Sequence, residues 1–388
     1  MPAQNHDVCV AGVGIAGAFL LRSLKDLDVI GIDKRQKLGY PVECGEIVPT
    51  KDEMKILLPD LEDYSLFDIP RKYESNRTKY MSFITPDGRE ITVDFEMHVV
   101  ERDEMITDIA EKSGHSIMKG ERIIRYNPSK NEVELFGGKR IKAEVVAGCD
   151  GANSRISSAL GFKRFTVPAK QYVMEGVECD EDVVYMYVGK RICPGGYAWI
   201  IPKGDGLANV GVGFVRAKGE KGDNAKKALE RFVREYPHSS KFLRNSKVVS
   251  EIGAVVPVDL PLEKAVHGRT ILLGDAAGMV ISHVGAGIPT SMLAGDFAGK
   301  IINECFDRND FSRLEKFDEM WKMAMLKAML DSYYIKSLWD RISDSDSRLS
   351  RYMRLISEKD MWKILHSKVP LKLRVASAFI PFLNMLFR

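Results

Sequence analysis

An α/β fold is predicted: a Rossmann-type domain built on a parallel sheet, interleaved with an antiparallel-sheet domain and followed by a helical C-terminal region. Three observations predict it. The first residues read strand, glycine turn, helix, strand. Residues 165–256 lose that rhythm and alternate as antiparallel strands do. From Phe311 onward large apolar residues recur at intervals of four.

Composition sets the outer limits. The 388 residues are 45% hydrophobic and 29% charged, the balance of a folded chain long enough for two or three cores. A net charge of +3 is too small to argue for a nucleic-acid partner. Six cysteines (Cys9, Cys44, Cys149, Cys179, Cys193, Cys305) are scattered without a CxxC pair, so no metal site and no dithiol redox pair is expected. Free thiols suit a reducing cytoplasm. No apolar run of about 18 uncharged residues occurs, so no transmembrane helix is expected.

The first unit, "DVCVAGVGIAGAFLLRSLKDLDVIGIDK", opens on a strand over Val8–Val13 that reads as buried on both faces. It runs into Gly12-Val13-Gly14-Ile15-Ala16-Gly17, the G-x-G-x-x-G spacing. Gly12 permits a tight turn, Gly14 lets backbone approach a pyrophosphate, and Gly17 packs the helix on the strand. The helix N-terminus offers its unpaired N–H groups to the phosphates. The second strand ends in Asp33, 21 residues after Gly12, where an acid accepts from a ribose.

The spacing alone does not separate NAD from FAD; "RTILLGDAAGMVISHVGAGIPTSMLAGDFAGKIINE" does. A buried strand ends at Gly274-Asp275, a glycine turn follows at Gly285-Ala286-Gly287, and a helix runs from about 288 to 303. In FAD-binding proteins such an aspartate accepts from ribityl hydroxyls, and the helix start at Gly287-Ile288 faces the flavin pyrimidine, where reduction places negative charge. A turn or N-cap role for Asp275 is the alternative. "VVERDEMITDIAEKSG" places Arg102 where a strand meets a helix, within reach of a phosphate or flavin, or in a surface ion pair. "EVVAGCDGANSRI" ends a strand at Asp150-Gly151, a third contact region or a plain turn.

In the middle segment "VVYMYVG", "GYAWIIP" and "LANVGVGFV" alternate, with "PKGDG" as a tight connection. Tyr185 with Tyr187, and Tyr197 with Trp199, each share a face by period-two spacing. That aromatic face is read either as a wall for an apolar substrate or as ordinary core. "MSFITPDGREITVDF" (81–95) is a hairpin turned at Pro86-Asp87-Gly88. The predicted division is 1–70, 97–164 and 257–310 for the FAD-binding domain, 71–96 and 165–256 for the sheet domain, and 311–388 for the helical region. In the last, Trp321, Met325, Met329 and Tyr333 form a stripe. Residues 361–388 hold five Lys/Arg and no acid, suiting either an anionic membrane surface or a bundle closing the substrate site.

The motifs "GVGIAG", "PVECGE", "ERDEM", "CDGANS", "PGGYAWIIPKGDGLANVGVG" and "LLGDAAG…GAGI" resemble those of the archaeal geranylgeranyl reductase (digeranylgeranylglycerophospholipid reductase) family. These flavoproteins saturate isoprenoid chains of membrane lipids and belong to the wider p-hydroxybenzoate hydroxylase-like group. The resemblance covers residues 7–310. It implies FAD contacts at Ala16, Asp33, Cys44, Gly45, Arg102, Ile123, Asp275, Gly287 and Ile288; Tyr197, Trp199 and His283 are expected to contact the substrate. The chain departs from the family at Ser282-His283, where Asp-Pro is common, at Ala286, where glycine is, and at Ile47. All three changes lie near the expected meeting point of flavin and substrate.

The resemblance also explains the thiol in "YPVECGEIVPT". On a loop stiffened by Pro41 and Pro49, Cys44 is expected beside the flavin, donating the proton that an unactivated alkene needs along with hydride. Glu43 and Glu46 are read as its proton relay. A small packing residue is the alternative reading of Cys44. The implied activity is FAD-dependent reduction of geranylgeranyl or related polyprenyl chains, with NAD(P)H or a ferredoxin as electron donor, in the cytoplasm or peripherally on the membrane. A flavin monooxygenase acting on an apolar substrate and a non-catalytic flavin- and lipid-binding protein are the alternatives.

Overall fold

The computed structural model describes residues 3–374. The chain starts with β1 (Gln4–Ala11), α1 (Ile15–Ser23) and β2 (Val29–Asp33). Val8–Ala11 are buried without alternation because α1 covers one face of the sheet and other elements the second. Next come β3 (Ile47–Pro49), α2 (Lys51–Leu57) and a long hairpin, β4 (Glu74–Ile84) and β5 (Glu90–Val100), turned at Gly88 with φ +80°. After α3 (Arg102–Lys112) and β6 (Ser116–Lys119), a small hairpin of β7 (Ile123–Asn127) and β8 (Glu132–Leu135) leads into β9 (Arg140–Gly148) and α4 (Arg155–Ala159).

The strand-rich middle contains β10 (Thr166–Glu175), β11 (Val183–Tyr187), β12 (Ala198–Gly204) and β13 (Leu207–Gly213). Helices α5 (Ala225–Arg234) and α6 (Pro237–Leu243) follow, then β14 (Lys247–Pro257). Two short strands, β15 (Val266–His267) and β16 (Thr270–Leu272), precede the long α7 (Ile288–Asp307). The end is helical: α8 (Lys316–Trp321), α9 (Lys327–Ile342), α10 (Asp346–Met353) and α11 (Glu358–Leu365).

The strands form two sheets. The first has the order β15-β16-β9-β1-β2-β6, parallel from β16 to β6, with β8 and β7 added beside β9. The second has the order β14-β10-β13-β12-β11-β4-β5-β3, antiparallel except between β11 and β4. It is wider than segments 71–96 and 165–256, because Ile47–Pro49 pair with Met97–Val99 at its edge. One face of this sheet packs on α5 and α6, the other on α10 and α11.

That division corrects the reading of two tyrosines. Tyr185 and Tyr187 face α5 and α6, with ring centroids 4.8 Å from Phe242 and 4.9 Å from Phe232, respectively. Val184 and Met186, on either side of Tyr185, share the face of Trp199. Period-two spacing decides which residues share a face, not which neighbour that face meets.

The C-terminal stripe is real but irregular. Trp321, Met325 and Met329 are fully buried, and a π-helical turn over Lys322–Leu326 lies between α8 and α9. Of the tail 361–388, residues 361–374 are described, and there Met361 and Leu365 pack against the second sheet. Residues 375–388 lie outside the described residues. No helix among the described residues is long and apolar enough to cross a membrane.

Helix α7 crosses α1 at glycine contacts. A Cβ added at Gly295 would lie 2.4 Å from the Ala16 carbonyl and 2.8 Å from the Leu20 nitrogen, both backbone atoms that cannot step aside. Gly295→Val should therefore lower stability by about 1–3 kcal/mol in urea unfolding. Gly137→Ala, at a site with open space, should not. An unchanged midpoint for Gly295→Val contradicts the close helix contact.

Candidate active site

The glycine turn divides its tasks as the spacing predicts. Gly12, at φ +95°, lies so close to the end of β9 that a Cβ would meet the Cys149 carbonyl oxygen at 2.5 Å. Gly17 would meet the Gly12 carbonyl at 2.1 Å, whereas Gly14 has no atom within 4 Å of its would-be Cβ. The N-terminus of α1, capped by no side chain, thus opens onto free space. The Asp33 carboxylate accepts the Val13 and Arg35 backbone N–H groups, both at 2.8 Å, tying the end of β2 to the turn.

A cavity of about 740 Å³ lies over this turn. It gathers Gly14, Ala16, Cys44, Gly45, Arg102 and Asp275, with Gly287, Ile288, Tyr197, Trp199 and His283. Gly12 and Gly17 sit behind it within the turn. Ile123 stands apart, at the start of β7 beside a second cavity of about 540 Å³ lined by Lys34, Arg35, Gly120–Arg122 and Phe136. That cavity adjoins Asp33, whose carbonyl accepts from the Glu121 N–H at 2.9 Å.

Arg102 is the first residue of α3, and its Nε and Nη1 are buried without a hydrogen-bond partner. Guanidinium N–H groups hidden from water in this way call for an anion or a carbonyl. Asp275 follows the end of β16; burial raises its carboxyl pKa, against the opposing charges of Arg102 and Arg164. Close by, α7 starts at Gly287 with no side-chain cap. Asp150 is different: its carboxylate accepts the Ser154 hydroxyl at 2.5 Å and the Arg155 N–H at 2.6 Å, anchoring α4, while its neighbours Cys149 and Gly151 line the cavity.

The loop carrying Cys44 is held from below by one carboxylate. Glu46, 2% exposed and at φ +65°, accepts from Lys203 Nζ at 2.6 Å and Asn209 Nδ2 at 2.9 Å. Its other oxygen accepts the Arg102 backbone N–H at 3.2 Å. Burial alone would lower the Lys203 pKa, but the carboxylates of Glu46 and Glu101 outweigh it and raise the value. Two further side chains fasten the loop: Gln171 donates to the Cys44 carbonyl at 2.9 Å and Asn209 to the Gly45 carbonyl at 3.3 Å. Gln171 in turn accepts the Trp199 indole N–H at 3.0 Å. Sequence reasoning missed Lys203, Gln171 and Asn209, and took Glu46 for a proton relay. Glu46 is bound up in its ion pair, and Glu43 pairs with Arg35 at 2.5 Å. The one available signal was a charge, Lys203, ending the apolar run "AWIIP".

The Cys44 Sγ accepts the Glu46 N–H at 3.2 Å. Burial raises the thiol pKa, with the Arg102 charge opposing, so the sulfur keeps its proton at neutral pH. Beyond Cys44 the cavity continues between the second sheet and the C-terminal helices. Phe83, Phe95, Met186 and Trp199 line it from the sheet; Leu338, Trp339, Met353 and Ile364 line it from α9, α10 and α11. Tyr197 donates its hydroxyl to the Val284 carbonyl at 2.5 Å, tying the sheet to the loop before α7. On that loop the His283 ring meets the Ser332 hydroxyl of α9 at 2.8 Å.

Comparison with known proteins places this arrangement. The family model of the geranylgeranyl reductase catalytic domain matches residues 166–256, most of the second sheet. The digeranylgeranylglycerophospholipid reductase of Methanosarcina acetivorans is 31% identical over 361 residues, spanning 88% of this chain and 86% of the relative. The chain belongs to the digeranylgeranylglycerophospholipid reductase family. Digeranylgeranylglycerophospholipid reductase 1 of Methanococcoides burtonii is 28% identical over 367 residues, covering 88% and 86% of the two chains. Among solved structures, a geranylgeranyl bacteriochlorophyll reductase-like protein from Thermoplasma acidophilum superposes with a TM-score of 0.79 at 24% identity, covering 92% of each chain. Halogenase PltM, solved with phloroglucinol and FAD, shares the fold at a TM-score of 0.68 and 17% identity, over 90% of this chain and 79% of its own.

In this family member the Glu46–Lys203 pair offers a direct test. Glu46→Ala removes the more deeply buried of the two carboxylates on Lys203, leaving Glu101 at 3.1 Å, and should cost about 1–3 kcal/mol in denaturant unfolding. The double variant with Lys203→Met should recover much of that loss. Equal loss in single and double variants contradicts the assigned role.

Proposed function

We propose that the chain is an FAD-dependent reductase that saturates isoprenoid double bonds, on the geranylgeranyl chains of archaeal-type ether lipids or on related polyprenyl compounds. One observation carries the proposal: a single cavity joins the glycine cradle and the Cys44 thiol to a long apolar wall. The names of the relatives, which are reductases of digeranylgeranylglycerophospholipid, support it.

The residues fit FAD. The open space at Gly14, the uncapped helix starts at α1 and α7, and the two orphaned nitrogens of Arg102 form a cradle for anionic and polar groups. In this reading Gly12, Gly14, Ala16 and Gly17 hold the pyrophosphate and Asp33 the ribose. The Ile123 backbone lies toward the adenine and Asp275 toward the ribityl chain. Arg102, Gly287 and Ile288 face the ring, with Cys44 and Gly45 alongside. The division into an FAD-binding part, a sheet part and a helical part is proposed with it.

Reduced FAD supplies hydride. The chain's own residues supply the rest. Cys44, kept protonated by burial, holds the proton destined for the second alkene carbon. Gln171 and Asn209 fix the sulfur's position through two successive carbonyls, those of Cys44 and Gly45. Tyr197, Trp199 and the helices opposite exclude water and align a flexible apolar chain. The electron donor in this proposal is NAD(P)H or a ferredoxin-type protein.

We further propose a cytoplasmic enzyme that rests peripherally on the membrane through 361–388. Leu355 and Leu371 are 65% and 76% exposed, and Lys372 donates to the Leu355 carbonyl, gathering both leucines at one end of the cavity. Basic side chains beside exposed apolar ones suit an anionic bilayer.

Two experiments test these proposals. Cys44→Ser, with FAD still bound, should slow anaerobic saturation of a geranylgeranyl ether lipid by about 10²-fold or more, followed by mass spectrometry; undiminished turnover removes the thiol from the mechanism. The full chain should float with anionic liposomes, and Leu355→Glu with Leu371→Glu should abolish flotation; retained flotation assigns membrane contact elsewhere.

A further inference from the structure

Most polar side chains lining the cavity are already engaged, as the Tyr197 hydroxyl and the Trp199 indole are. His283 is not. Its backbone N–H and its ring Nδ1 both meet one atom, Ser332 Oγ, at 3.1 Å and 2.8 Å. A backbone N–H can only donate, so it occupies a lone pair of that oxygen. Ser332 is fully buried, and among the described residues Nδ1 is the acceptor within reach of its hydroxyl hydrogen. Nδ1 therefore accepts, and the ring proton resides on Nε2.

Nε2 is buried and has no hydrogen-bond partner. The Ile364 carbonyl of α11 lies near enough to favour ring protonation slightly, yet closes no hydrogen bond to Nε2. Burial draws the imidazole pKa down to about 4, so the ring is neutral at physiological pH. A neutral N–H donor withheld from water in an apolar wall lacks an acceptor that a ligand can bring. The loop that presents it, Ile281–Gly287, carries no Lys or Arg, and the cavity-lining Lys336 and Lys372 are taken up by Asp340 and Asp360, so the fitting acceptor is an uncharged oxygen.

We propose that His283 is a specificity-determining donor whose Nε2–H binds a neutral oxygen, ether or hydroxyl, carried by the prenyl substrate, and that Ser332 is the positioning residue that sets its tautomer. This inference rests on the prenyl reading above and adds the chemical group by which the cavity tells one prenyl compound from another. A site built around a donor rejects the analogue that leaves the donor unpaired.

The test is equilibrium binding to the FAD-loaded full chain, read by tryptophan fluorescence, since Trp199 and Trp339 line the cavity. The ligands are geranylgeraniol, its methyl ether and the oxygen-free hydrocarbon of the same chain; alcohol against ether distinguishes the two sources of oxygen. The wild type should bind an oxygenated ligand about tenfold more tightly than the hydrocarbon. His283→Leu should bind all three alike, His283→Gln should keep most of the preference through its amide N–H, and Ser332→Ala should lose part of it. Full preference in His283→Leu, or none in the wild type, overturns the inference. Should His283→Leu fail to fold, an unaltered preference in Ser332→Ala together with its loss in His283→Gln overturns it equally. Failure of the wild type to bind any of the three overturns the prenyl reading itself, a distinct result.

Discussion

The site depends on one buried ion pair. Glu46 and Lys203 meet beneath the Cys44 loop, where neither reaches water freely, and a carboxylate so placed keeps its charge only if every oxygen is partnered. The partners come from three directions: Lys203 from β12, Asn209 from β13, and the backbone of Arg102 from the start of α3. One side chain therefore fixes the thiol loop relative to the second sheet and to α3, which packs on α1. The first sheet carries the glycine cradle and the second the apolar wall, so in the proposed function their mutual placement governs the distance between cofactor and substrate.

Polar groups in this interior fall into two kinds. Most are paired and serve rigidity, as Gln171 does between the Trp199 indole and the Cys44 carbonyl. A few, on residues that line the cavity, are buried without a partner: Arg102 Nε and Nη1 at the cradle, and His283 Nε2 farther along. Buried polar atoms without partners are rare enough in native proteins to need a reason. In the proposed reading the reason is the same for each, a partner brought by cofactor or substrate.

Much of the fold was legible because its signals are local. The G-x-G-x-x-G spacing, the Asp33 distance and the alternation in β11 to β13 all sit within a few tens of residues, and each element formed where the pattern put it. The cradle residues near Gly14, Asp275 and Gly287 were readable for the same reason. What escaped was long-range. Glu46 and Lys203 are 157 positions apart, and nothing local to either announces the other. Alternation paired Tyr185 with Tyr187 correctly but was silent on the helices they meet. The C-terminal stripe disclosed helices without disclosing that α9 and α10 would wall the cavity, because docking is decided by the shape of both surfaces; for the tail that includes most of α11, a bundle closing the site was one of the two readings.

The central claim is spatial: cofactor, thiol and prenyl chain share one cavity. A structure determined with FAD and a geranylgeranyl ether lipid bound measures this most directly. Pyrophosphate density is expected against Gly14 and Arg102, the flavin beside Cys44, and the lipid chain passing Trp199 toward α9 and α11. Lipid bound outside this cavity, or a flavin lying away from the Cys44 sulfur, contradicts it.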